Sequence, residues 1–166
     1  MKHRLCIAAI CCVVGLIQSP RLRAADSATE QLATARDHTQ RGRYEEALEI
    51  LDALAKAQPD EAVDPIEVTV AMCDALRAQG QRDKAEEVLN VALKGKPSPK
   101  SAVLHAELAR LHFERGRLPE AAAATEAALK LDSDQLLARL IQAHIYAEQG
   151  EVKQADDGYR WFVRYY

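Results

Sequence analysis

The chain is expected to be all-α, built from antiparallel helix-turn-helix units stacked into a solenoid. Three observations carry that expectation. Gly42, Gly80, Gly116 and Gly150 recur at intervals of 38, 36 and 34 residues, and each is followed five residues later by alanine, at Ala47, Ala85, Ala121 and Ala155. A small-residue pattern at such a period marks stacked supersecondary units rather than one closed core. Hydrophobic residues make up 48% of the chain but aromatics only 5%. Alanine and leucine carry the apolar content, which suits close-packed helices. No sustained alternation bounded by turn residues marks a strand.

Each glycine separates two helical patterns. Ser27 to Arg41 and Tyr44 to Ala57 flank Gly42; Ile66 to Gln79 and Lys84 to Lys94 flank Gly80. Ala102 to Arg115 and Glu120 to Leu131 flank Gly116; Leu136 to Gln149 and Val152 to the end flank Gly150. Glycine adopts the left-handed geometry that ends a helix, and connections this short make the two helices antiparallel neighbours. Start signals agree. Asp64-Pro65-Ile66-Glu67 combines an N-cap, a proline at the first helical position and an acid behind it. Ser98-Pro99 repeats the device, Pro119 opens the helix after Gly116, and Asp132-Ser133-Asp134 offers caps for the next. The expected units are about 28–61, 66–99, 102–135 and 136–166, the last incomplete.

The first 24 residues differ in kind. Lys2 and Arg4 precede a 13-residue apolar run from Leu5 to Ile17, Pro20 breaks it, and Ala24 and Ala25 follow. This is the layout of a secretory signal peptide, with cleavage after Ala24. An uncleaved N-terminal anchor is the alternative, although the run is short for a bilayer. The expected location is therefore exported, periplasmic or extracellular. Of the 22 Lys/Arg, Lys2, Arg4, Arg21 and Arg23 lie in this segment, which holds none of the 25 Asp/Glu. The remainder carries a charge of about −7, which disfavours nucleic acid and anionic membrane surfaces as partners. Cys6, Cys11 and Cys12 leave with the segment, so Cys73 stands alone and forms neither an internal disulfide nor a cysteine zinc site.

Aligned on their glycines, the units share further columns. Seven residues before each glycine stand Ala35, Cys73, Ala109 and Ala143; nine after stand Leu51, Leu89, Thr125 and Tyr159. Small residues on both helices of a hairpin permit close approach. Cys73 falls among alanines and reads as a buried packing residue. Pro59 and Pro97 close the first two units. The pattern resembles the tetratricopeptide repeat over residues 27 to 166. Tyr44 with Ala47, Tyr146 with Ala155 and Tyr159, and Ala128-Leu129 fit it best. Departures are Gln31, Thr69, His105 and Arg139 in the tryptophan column, Arg82 for the aromatic after Gly80, and Ser133 for a closing proline. The resemblance implies a right-handed α-solenoid.

No catalytic constellation appears: no His-Glu-x-x-His, no Gly-x-Ser-x-Gly and no phosphate-cradling loop. His105 and His112 are seven apart on one helix but lack a third ligand, and His38, His112 and Tyr146 share a packing column. Glu45-Glu46, Glu86-Glu87 and Asp156-Asp157 read as solvated outer faces. No enzyme activity, cofactor or metal is expected.

The resemblance implies instead a concave groove, lined by first helices, that takes a peptide or partner helix. Carried over column by column, the groove comprises Leu32, Arg36 and Thr39; Val70, Asp74 and Arg77; Ala106, Arg110 and Phe113; and Leu140, His144 and Ala147. Arg36, Arg77 and Arg110 would form a basic rib for an acidic segment, unless they pair with Asp74 and Glu114. Two other roles stay open: a recruiting or regulatory segment of a larger secreted enzyme, and self-association through Trp161, Phe162, Tyr165 and Tyr166, which with Tyr159 make up five of the eight aromatics and crowd the last helix.

Overall fold

The glycines adopt the geometry their spacing requires. Gly42, Gly80, Gly116 and Gly150 have φ of 77°, 83°, 70° and 77°, a region that glycine enters without a Cβ penalty. At each turn the following residue donates its N–H to a carbonyl five residues back. Arg43 donates to His38 (2.9 Å), Gln81 to Leu76 (2.8 Å), Arg117 to His112 (2.9 Å) and Glu151 to Tyr146 (2.8 Å). These bonds satisfy carbonyls that a helix end otherwise leaves open. The computed structural model describes residues 20–57, 63–95 and 97–165, and for 20–27 the backbone alone. The expected signal segment up to residue 19, and Pro59, lie outside the described residues.

The described elements are α1 (Pro20–Gln40), α2 (Tyr44–Lys56), α3 (Pro65–Ala78), α4 (Arg82–Ala92), a single 3-10 turn (Pro99–Ser101), α5 (Ala102–Glu114), α6 (Leu118–Leu131), α7 (Leu136–Glu148) and α8 (Val152–Tyr165). They match the expected pattern, with two corrections. α1 begins at Pro20 rather than Ser27, so it runs through the expected cleavage point after Ala24; proline is well placed in a first helical turn and the alanines that follow favour continuation. α7 is capped by Gln135, whose Oε1 accepts from the Ala138 N–H at 2.7 Å. The caps were expected from Asp132-Ser133-Asp134, but Asp132 Oδ1 instead accepts from the Asp134 N–H at 3.0 Å.

The other start signals act locally. Asp64 Oδ1 accepts from the Ile66 N–H at 3.0 Å, ahead of Pro65. Ser98 and Ser101 cap each other reciprocally, with Ser98 Oγ accepting from the Ser101 N–H (3.3 Å) and Ser101 Oγ from the Ser98 N–H (3.0 Å). Each satisfies amides that have no intrahelical partner.

Packing follows the columns. Ala35, Cys73, Ala109 and Ala143, with Ala47, Ala85, Ala121 and Ala155, are all buried. Leu51, Leu89 and Thr125 lie beneath them, Thr125 Oγ1 donating to the Ala121 carbonyl at 2.8 Å. The core is a row of clusters along the array. First helices touch one another directly (α1 to α3, α3 to α5, α5 to α7), whereas consecutive second helices make no comparable contact. The first-helix side is thus the close-packed inner side of an all-α solenoid, and the second helices splay apart outside it.

Candidate functional site

The inner face is organised by one column. Six residues before each glycine stand Arg36, Asp74, Arg110 and His144 on successive first helices, and the middle two meet directly. Asp74 Oδ1 accepts from Arg77 one turn on (3.2 Å) and from Arg110 on α5 (2.7 Å). Arg77 also donates to Glu114 at 2.9 Å, and Arg110 contacts Glu107. At the array's start Arg36 donates to Glu67 at 3.1 Å. The expected basic rib is therefore neutralised internally: each of its arginines holds a carboxylate of the same or the next first helix.

Glu107 is the member the sequence reading passed over. Its side chain is buried on the inner side of α5. Burial pushes its carboxyl up to about 7, against the pull of Arg110 and with Asp74 adding to the rise. A strip of α5 reading Ala106-Glu107-Leu108 gives only the hint that an acid sits where both neighbours are apolar. Cys73, in the same region, is wholly buried and its thiol is pushed up to about 12 by burial. That is a packing cysteine, not a nucleophile.

The far end of the face is aromatic. Phe113 stacks on His144 (centroids 5.7 Å apart, 26° between planes), and His144 meets Tyr159 edge-on at 5.4 Å. His144 Nδ1 and Tyr159 Oη lie 2.8 Å apart. All three rings are half-buried, leaving an apolar ledge accessible from the inner side.

The other expected groove residues divide. Leu32 is a correction: it lies in the core among α1, α2 and α3, because it packs toward Leu51 and Val68 rather than across the face. Ala106 is likewise fully buried. Val70 and Leu140 are half-buried and Ala147 is exposed. Thr39 turns its hydroxyl back to the Ala35 carbonyl at 3.0 Å.

Two clusters escaped the sequence reading altogether. On the outer side Arg115 donates to Asp83 (2.6 Å) and Glu86 (2.8 Å), and Arg117 donates to Glu86 at 2.5 Å. The Arg117 hydrogen bond holds the Glu86 carboxyl below its ordinary range, so Glu86 is not the solvated acid its doublet with Glu87 implied. At the end of the array the Arg139 guanidinium lies 4.5 Å from the Trp161 ring centroid, and Trp161 meets Tyr165 at 5.2 Å.

Among the described residues no three His, Cys, Asp or Glu side chains are arranged to hold a metal ion, and no helix is long and apolar enough to cross a membrane. His112 is buried and held below its ordinary value by burial. The inner side thus presents paired charges and an aromatic ledge.

Comparison with known proteins agrees with this architecture. One family profile for the tetratricopeptide repeat matches residues 70–135 and 106–160, and a second matches 38–99. No curated protein matches the chain significantly. Among solved structures, a Podosopora anserina protein assigned as a kinesin light chain with nearly identical TPR-like repeats is 21% identical, with a TM-score of 0.63 over 84% of this chain and 75% of that one. MamA of MSR-1 is 19% identical over 81% of this chain and 93% of its own, at a TM-score of 0.32. MamA of AMB-1 is 18% identical over 84% and 91%, at 0.35. The last two scores are too low to establish a common overall shape.

Proposed function

This chain belongs to the tetratricopeptide repeat family, a family of protein-interaction scaffolds, and from that premise we propose that its inner face receives an extended peptide or a partner helix, without catalysis or cofactor. The observation that carries the reading is the aromatic ledge of Phe113, His144 and Tyr159 beside the Asp74–Arg110 ladder. A partner segment gains an apolar anchor on the ledge and hydrogen bonds along the ladder. Because the ladder is charge-paired, it offers donors and acceptors together rather than a positive surface for an acidic segment. The signal-like start of the chain supports export, so the partner is sought in the periplasm or outside the cell.

The test is capture of partners from the native envelope fraction. Arg77 and Arg110 also hold Asp74 and Glu107, so reversing their charge would disturb the fold. The informative variant combines Arg36→Glu with Phe113→Ala, its helical content checked by circular dichroism. Loss of the captured protein is expected. Undiminished capture by the folded variant removes the inner face from consideration.

A second reading has its own observation. Val163 and Tyr165 on α8 are 80% and 63% exposed beside the Arg139–Trp161 stack, an apolar edge suited to self-association. Light scattering on the chain with and without Val163→Glu tests it: a monomer in both removes self-assembly.

A further inference from the structure

The outer side of the array carries a feature that the inner-face reading does not use. Between α2 and α4 lies an open cleft of about 510 Å³. Its floor is apolar: Leu48, Val88 and, from α3 beneath, Met72, all half-buried. Its walls are acidic, with Glu45, Glu49 and Asp52 on α2 and Glu87 on α4, against the single cation Lys84. None of these four carboxylates forms an ion pair among the described residues.

The next pair of second helices shows what is missing. Between α4 and α6 the same gap is closed by Arg115 and Arg117, the residues on either side of Gly116, which reach back to Asp83 and Glu86. On either side of Gly80 stand Gln79 and Gln81 instead. The residue matching Asp83 is Glu45, and the one matching Glu86 is Leu48. One repeat earlier, then, the carboxylate remains, its guanidinium partners have become glutamines, and an apolar side chain lies open where a carboxylate was covered. Gln81 Nε2 donates to Gln79 Oε1 at 2.8 Å, so the two amides engage each other rather than the α2 wall.

We propose that the cleft between α2 and α4 is a docking site for a basic segment of a partner protein, one that brings arginine side chains to Glu45 and its neighbours and an apolar side chain to the Leu48–Met72–Val88 floor. The guanidinium groups supplied internally at α4/α6 show that this backbone spacing accommodates arginine between two second helices. Carboxylates beside an apolar floor hold arginine well, because its planar head pairs bidentately and is weakly hydrated. The charge complementarity speeds encounter and sets partner choice, while the floor supplies the area removed from water.

Met72 provides a local readout, since Met1 is the one other methionine of the chain. A short synthetic peptide alternating arginine and leucine is titrated into the full chain carrying isotope-labelled methionine methyl groups. The Met72 methyl resonance is expected to shift with saturation. Replacing Glu45, Glu49 and Glu87 with glutamine and Asp52 with asparagine weakens binding at least about tenfold. Gln79→Arg with Gln81→Arg, which supplies the cations from within, weakens it by a similar factor of about ten. A lysine-glycine peptide of equal charge binds about tenfold more weakly, having nothing to place on the floor. The proposal is overturned by absence of binding at millimolar peptide, by binding without a Met72 shift, by unchanged affinity in the folded Gln79→Arg/Gln81→Arg variant, or by equal binding of the lysine-glycine peptide. None of these outcomes bears on the inner face, which holds no methionine.

Discussion

Gly158 on α8 lies directly against Ala143 on α7: a Cβ added at Gly158 would stand 2.8 Å from the Ala143 Cβ. The close approach of α7 and α8 in the last hairpin depends on two residues having almost no side chain.

Gly158→Ala is therefore expected to destabilise the protein, although alanine is the better helix former by about 0.5–1 kcal/mol. The clash is with a rigid methyl that cannot rotate away, so α7 and α8 must separate. A net loss of about 1–2 kcal/mol is expected in urea unfolding followed by circular dichroism. A gain in stability would show that the hairpin yields without cost.

Gly116→Ala probes a different cause. Nothing lies within 4 Å of a Cβ built there, yet φ is +70°. The cost is backbone strain alone, about 1 kcal/mol. Gly116→Asn should lose less than Gly116→Ala, since asparagine tolerates this region. A loss for Gly116→Asn as large as that for Gly116→Ala would show that the left-handed backbone does not set the cost.

Glu107 sets a pH dependence whose sign follows from its burial. Its folded value, raised to about 7 from 4.5, lies above that of the unfolded chain. Between those pH values the native state holds a proton that the unfolded state releases, so this group makes stability fall as pH rises through the window. Glu107→Gln removes the slope, and at pH 8 the variant should be more stable than the parent by on the order of 2 kcal/mol. His105 and His112, lowered by burial, tilt stability the opposite way in both proteins, so the difference between them isolates Glu107. Parallel stability–pH curves would contradict the assignment.

Cys73 should resist alkylation at pH 8 in the native protein and react once the chain is unfolded, read as mass change on the peptide that contains it. Its burial and its raised pKa, about 12, both withhold the thiolate. Rapid native labelling would show that α3 opens from its neighbours.

The hairpin architecture was legible because its determinants are local or repeat in register. A glycine with positive φ, a proline behind an N-cap and a small residue at a fixed offset act within one or two turns of chain, so Gly80, Pro65 and Ala109 carry their meaning in the sequence. Leu32 misled because a column places a residue on a helix but does not say which neighbour covers it.

The charge pairing was legible only in part: Asp74 and Glu114 stood out as alternative partners for the inner arginines, whereas Glu107 and the Arg117–Glu86 pair did not. Arg110 meets Asp74 across 36 residues, and Arg117 meets Glu86 across 31. Which of several nearby carboxylates an arginine takes depends on how far consecutive helices are offset, and no single repeat records that. The sequence by itself determined the number of turns, the helices and the small residues packed between them, since these follow from backbone preference and side-chain size. Only the tertiary structure decided which charges cancel on the inner face and which stay open in the α2/α4 cleft, since electrostatic partners are chosen by distance in space rather than position in the chain.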